Sequence, residues 1–279
     1  MAINGGIKFF KRNKTLFEDG VTASVSTGSG TGNFILDRNR FTFWRSVGSS
    51  DSTTETIIVS FPAAVTIDRL ALNDHNWKEF TIKYDLASVF TDFTSVVGLD
   101  GALGGGVAET VYARDNSYYE FDSVITTRLE LVIEKTQVVD AEKFLSKLFA
   151  TEELGTLSGY PVVNDVILSR NSRVTRMLSG KSLIQKSVES HSFNISFSNY
   201  PNSLTADLDL VMTLYDSEED FVIWLCGGRF GTDNFRYTLR GWRLQDFIPV
   251  QMAEDLPVNY LNNTYISMVN LNLKLVEHV

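Results

Sequence analysis

Asn73-Asp-His-Asn-Trp77 gathers a carboxylate, an imidazole, two amides and an indole in one short run. Asp74 and His75 can ligate a metal ion or hydrogen-bond a sugar hydroxyl, and Trp77 can offer an apolar platform for a sugar ring. The run follows one strand-like segment and precedes another, so a loop tip is expected there. The same residues support a second reading. Asp and Asn side chains turn a chain by bonding to its backbone, and Trp77 can seal the edge of a sandwich. Trp44 joins Asp74, His75, Asn76 and Trp77 as the candidate ligand or interface surface.

Other chemistry is sparse. The only histidines besides His75 are His191 and His278. No Gly-x-Ser-x-Gly elbow, phosphate-binding loop or zinc-protease helix occurs. Gly101 to Gly106 lacks the strand-to-helix setting of a dinucleotide fingerprint and reads as a surface loop. Asp216, Glu218, Glu219 and Asp220 do not match the spacing of an EF-hand loop and read as a solvated turn. Cys226 follows an apolar run and reads as a small core residue. No catalytic residue, cofactor or metal ligand is assigned, and the chain is read as non-enzymatic.

The elements that position these residues follow from composition and pattern. The 279-residue chain is 43% hydrophobic and 12% aromatic, with 19 Phe and 10 Tyr; aromatic side chains suit half-buried sheet surfaces. A net charge of -9 repels phosphate, so no nucleic-acid specificity is expected. The most basic stretch, Arg170 to Lys186, reads as solvated surface. With no apolar run of about 18 residues, no membrane insertion is expected. The opening Met-Ala-Ile-Asn-Gly-Gly has no apolar core of a secretory signal, and the single cysteine fits a reducing compartment.

Strands are expected at Glu55–Phe61, Val65–Leu72, Phe80–Tyr84, Glu109–Arg114, Tyr118–Phe121, Arg128–Glu134 and Lys143–Phe149. Ser24–Gly32 and Gly98–Gly106 are Gly-rich and read as loops. These short strands argue for a sandwich or jelly roll over residues 1–155. Two glycines and a proline within Glu152–Pro161 mark a boundary. Residues 156–279 read as a β-rich domain with strands at Val162–Leu168, Val174–Met177, Ser182–Ser187, Ser192–Ser198, Asp220–Leu225, Asn234–Trp242 and Thr264–Leu275. In Asn202–Asp216, Leu204, Leu208, Val211, Met212 and Tyr215 recur at helical spacing, so one packed helix is expected near 203–216. The fold class is mainly β.

The first half resembles the discoidin-like, galactose-binding-like jelly roll. The resemblance is carried by Asp37-Arg-Asn-Arg-Phe-Thr-Phe-Trp-Arg-Ser46, Glu55–Phe61, Ile67–Leu72 and Thr127–Ile133. That family's terminal disulfide cysteines are missing and its ligand loops do not map, so the resemblance implies a fold and no ligand. The whole chain is similar in organisation to bacteriophage tail and baseplate proteins of the distal-tail or hub-ring kind. Ser192–Phe197, Leu210–Tyr215, Phe221–Leu225 and Gly241–Leu244 carry that similarity. It implies a structural virion protein, assembled in the bacterial cytoplasm, that forms a homo-oligomeric ring such as a hexamer and docks neighbouring tail or baseplate proteins. The alternative is a carbohydrate-binding adhesion module that grips cell-surface glycan through the jelly roll and its Asp74, His75, Trp77 loop.

Overall fold

Alternation decides where the chain extends. Ile57, Val59 and Phe61 are buried and their neighbours are not, and Leu129, Leu131 and Ile133 behave alike; period-two burial is what a strand with one face on a core requires. The structure is a computed structural model and describes residues 7–39, 42–86, 88–94, 97–98, 115–157, 162–176, 182–201, 209–210, 213–214, 220–224, 238–239, 242–243, 247–252 and 268–277. Its strands are β1 (Ile7–Phe10), β2 (Thr22–Val25), β3 (Trp44–Arg45), β4 (Glu55–His75), β5 (Trp77–Leu86), β6 (Val89–Asp92), β7 (Val97–Gly98), β8 (Asp115–Thr136), β9 (Phe144–Thr151), β10 (Glu153–Leu157), β11 (Val162–Arg176), β12 (Ser182–Pro201), β13 (Phe221–Trp224), β14 (Thr238–Leu239), β15 (Trp242–Arg243), β16 (Phe247–Met252) and β17 (Met268–Glu277). The mainly β class read from the sequence is the class observed. The strand expected at Glu109–Arg114 lies outside the described residues.

The chain divides into two units, Phe10–Glu153 and Met1–Phe9 with Leu154–Val279. In the first, here the sandwich unit, the strand order is β3-β9-β4-β8-β5-β6, with β2 also on β4 and β7 on β8. Two long strands build both layers. Glu55–Ser60 of β4 pairs with Arg128–Ile133 of β8, the register then shifts, and Val65–Leu72 pairs with Ser117–Thr126. Each strand therefore bends and crosses from one layer to the other, a construction consistent with a jelly roll. The segments expected as separate strands, Glu55–Phe61 and Val65–Leu72, are the two arms of bent β4. Pro62 sits exposed at the bend, where its missing N–H breaks no ladder bond. Trp44, Trp77, Phe80, Tyr119, Leu145 and Leu148 join the β4 and β8 residues in one core. Each buried indole contributes about 4–6 kcal/mol of transfer free energy, an upper bound.

In the second unit the order is β10-β1-β13-β16-β17-β12-β11. The N-terminal strand β1, which the sequence reading does not anticipate, lies between β10 and β13, and its Phe9 ring meets Phe221 at 6.1 Å. All of β13 is buried, as its unbroken apolar run requires. Of the helix expected near 203–216, Asp209, Leu210, Thr213 and Leu214 are described; they are helical, with Leu210 and Leu214 buried one turn apart.

Candidate functional site

Of the five residues singled out from sequence, Asp74 to Trp77 are consecutive and Trp44 lies across β9 from His75, both pairing with Leu145; they do not form an open platform. Asn73 to His75 close β4 and Trp77 opens β5, so only Asn76 stands between two strands. Trp77 and His75 are both 0% exposed. Their rings lie 5.4 Å apart, and both pack on Phe80, at 5.3 Å and 5.7 Å. The Trp77 N–H donates to His75 Nδ1 at 3.1 Å, which places the imidazole proton on Nε2, and Nε2 donates to Ser117 Oγ at 2.8 Å. Asp74 takes a left-handed conformation, φ 55, and its N–H donates to Asn116 Oδ1. Trp44 is buried, and its indole N–H donates to Thr27 O at 3.0 Å. A stacking ring needs solvent on one face, and in this structure neither indole has it. Among the described residues no group of three or more His, Cys, Asp or Glu could hold a metal ion. Cys226, His278, Asp216, Glu218 and Glu219 lie outside the described residues, while Asp220 is buried.

Asn76 has a different use. Its carbonyl accepts Gln137 N–H at 2.9 Å, its Nδ2 donates to Glu142 O at 2.8 Å, and its Oδ1 accepts Phe144 N–H at 3.0 Å. Asn76 thus fixes both ends of the turn between β8 and β9, one end through its backbone carbonyl and the other through its side-chain amide. Lys143, Asp51 and Asp140 tie the neighbouring 46–53 loop to the same place. Lys143 donates its buried ammonium to Ser50 O and Thr53 O, each at 2.7 Å. Asp51 Oδ1 accepts from Thr136 N–H and Oγ1, and Asp140 Oδ1 accepts from Asp51 N–H. Burial pushes the Lys143 ammonium below the ordinary lysine value, while the carboxylates of Glu55 and Asp51 pull the other way.

The pinned loops carry an outward surface. The Phe43 ring is half-buried and meets Phe144 edge-on at 6.3 Å. The Arg45 guanidinium lies over Phe43, 5.2 Å from its centroid, and 3.7 Å from the Glu142 carboxylate. Val47 and Val139, 68% and 76% exposed, and Val138 stand out on the same two loops. Aromatic and aliphatic surface therefore adjoins a donor fork and an acceptor. Sequence reading missed Phe43, Arg45, Val47, Glu142 and Lys143; the visible signal was Val138-Val139, an apolar pair between Gln137 and Asp140, where a turn would be polar.

Asp37, Thr42 and Ser46, from the same stretch as Phe43 and Arg45, hold the fold. Asp37 Oδ1 accepts from Lys147 Nζ at 2.5 Å and from Thr42 Oγ1 at 2.7 Å, and Ser46 donates its N–H to Lys143 O while its Oγ accepts the Lys143 N–H. Lys147 also donates to Phe34 O and Thr42 Oγ1. Burial pushes this ammonium down to about 8, against the pull of Asp37.

No protein-family model matches the sequence, and no curated protein matches it. Solved structures do. Chitosan-binding module 1 from a chitosanase/glucanase of Paenibacillus sp. IK-5 matches at 18% identity and TM-score 0.37, covering 50% of this chain and 98% of that one. A CBM32 module of Clostridium perfringens, in complex with GalNAc-beta-1,3-galactose, matches at 12% identity and TM-score 0.36, covering 47% and 94%. A GH29 fucosidase of Ruminococcus gnavus matches at 12% identity and TM-score 0.39, covering 52% of this chain but 27% of the enzyme. The matches take in about half of this chain. The sandwich itself is established by its own strand register.

Proposed function

We propose that this chain is a non-catalytic binding protein whose sandwich unit holds a glycan on the loop surface formed by Phe43, Arg45, Val47, Val138, Val139 and Glu142. The observation that carries the reading is the Phe43–Arg45–Glu142 array on stapled loops. A pyranose ring has an apolar C–H face and a rim of hydroxyls that both donate and accept. A ring face beside a guanidinium and a carboxylate complements both features. The loops are already bonded in place, so little ordering entropy opposes binding. The surface is open, and affinity in the range of about 0.1–1 mM is expected.

A glycan array probed with the intact protein tests this reading. At least one class of glycan is expected to bind, and Arg45→Ala, which removes an exposed side chain, is expected to weaken it about tenfold. No bound glycan, or binding indifferent to both Arg45→Ala and Phe43→Ala, removes the proposal.

A second reading is assembly, as in a bacteriophage tail or baseplate ring with virion neighbours. It draws on one feature: among the described residues, Ser169–Arg176 and Ser182–His191 of the β11–β12 hairpin pair with each other and with no third strand. Electron micrographs of the purified protein test it: closed rings support it, and isolated particles at every concentration count against it.

A further inference from the structure

The β11–β12 hairpin outruns the sheet it belongs to. β12 pairs with β11 from Ser182↔Arg176 through Ser196↔Val162, but with β17 only from Ser192↔Val276 to Pro201↔Met268. β11 is the last strand of the sheet. Among the described residues, Ser169–Arg176 and Ser182–His191 therefore form a ribbon two strands wide with no third strand on either edge. Such a ribbon is marginally stable alone in water and leaves backbone donors and acceptors open on both sides.

Its charge is opposite to that of the rest of the chain. From Arg170 to Lys186 the sequence carries Arg170, Arg173, Arg176, Lys181 and Lys186 and no Asp or Glu. The whole chain carries 25 Lys and Arg against 34 Asp and Glu, so everything outside this segment is more acidic than the net charge of -9 implies. From Ser187 to Gly228 there is no Lys or Arg at all. Cations on an edge can serve only to keep strands from pairing. Here they are also opposite in sign to the acidic remainder of every other copy of the chain.

We infer that this basic ribbon docks on the acidic surface of a second copy of the chain. Because the chain carries both the basic ribbon and the acidic surface, the same contact can be made reciprocally in a two-fold dimer or in one direction in a larger assembly. The attraction between such patches is screened beyond about 10 Å at 0.1 M salt, so association weakens as salt rises. The inference stands apart from glycan binding, because the ribbon belongs to the second unit and the loop surface to the sandwich unit.

Sedimentation velocity of the full chain at low and high salt tests it, with two triple variants. Arg170→Glu/Arg173→Glu/Arg176→Glu reverses the ribbon, and Arg170→Lys/Arg173→Lys/Arg176→Lys keeps its charge. Wild type and the Lys variant are expected to associate at low salt and separate at high salt, with the Glu variant at least about tenfold weaker. Glycan binding is expected to be unchanged in all three. A wild type that stays monomeric at low salt overturns the inference. So does association that neither salt nor charge reversal alters, and so does a wild type that binds a DNA or RNA duplex through the ribbon without self-association. If the Glu variant fails to fold, the salt series on wild type and the Lys variant decides alone.

Discussion

Lys143→Met tests whether the loop surface is held by a buried ammonium. In wild type that ammonium donates to Ser50 O and Thr53 O, both at 2.7 Å, from a residue with no solvent exposure. Hydrogen bonds from a charged donor contribute about 1.5–3 kcal/mol each. Methionine fills similar volume and removes the cost of burying a charge, which offsets part of the loss. The two carbonyls are then left without their donor. The balance is a destabilisation of about 2–4 kcal/mol, and at about 2–4 °C per kcal/mol for a unit of this size the melting temperature falls by roughly 8 °C. Tryptophan fluorescence reads the transition, because Trp44 and Trp77 are both in the sandwich core. Amide exchange across residues 46–53 is expected to rise more than exchange in β4 or β8. A variant within about 0.5 kcal/mol of wild type, with unchanged exchange in that loop, would refute the stapling argument.

Trp77→Ala is expected to cost about 3–5 kcal/mol in urea unfolding through the cavity it leaves against His75 and Phe80, rather than to remove a ligand contact from an intact fold. Gly28→Ala is expected to lower the melting temperature sharply, because Gly28 has φ 67 and an added Cβ would be driven into the Arg45 carbonyl oxygen. Lys147 makes stability depend on pH. Its folded value is lowered to about 8 from 10.5, so between those values the unfolded chain holds the proton and the folded chain does not, and stability rises with pH by at most about 3 kcal/mol. Chemical denaturation from pH 7.5 to 10.5 should show that rise in wild type and a flatter profile in Lys147→Met.

Legibility followed from periodicity. The arms of β4, β5 and β8 were visible because Phe80 and Ile82, and Leu129 and Leu131, alternate with polar residues, while Ile57-Ile58-Val59 is a β-branched run, and these residues face one core. Their union into two bent strands was hidden, since Pro62 and the polar Asp122–Ser123 segment look like ordinary turns in one dimension. β1 was hidden because four residues carry no period, and its place depends on strands far along the chain. The candidate surface shows the same divide. Asp74, His75 and Trp77 stood out by residue type, yet strand pairing on both sides puts the two rings inside. Phe43, Arg45 and Glu142 are unremarkable in sequence, and meet only because β3 pairs with β9, setting Arg45 opposite Phe144.

The central claim is that the loop end of the sandwich unit is the glycan-facing surface. Amide exchange of the intact protein, with and without a saturating glycan chosen from the array, tests it most directly. Protection is predicted at residues 43–47 and 138–142, with β11 and β12 unchanged. Protection confined to another part of the molecule, such as β6, or no protection by any glycan, would contradict it.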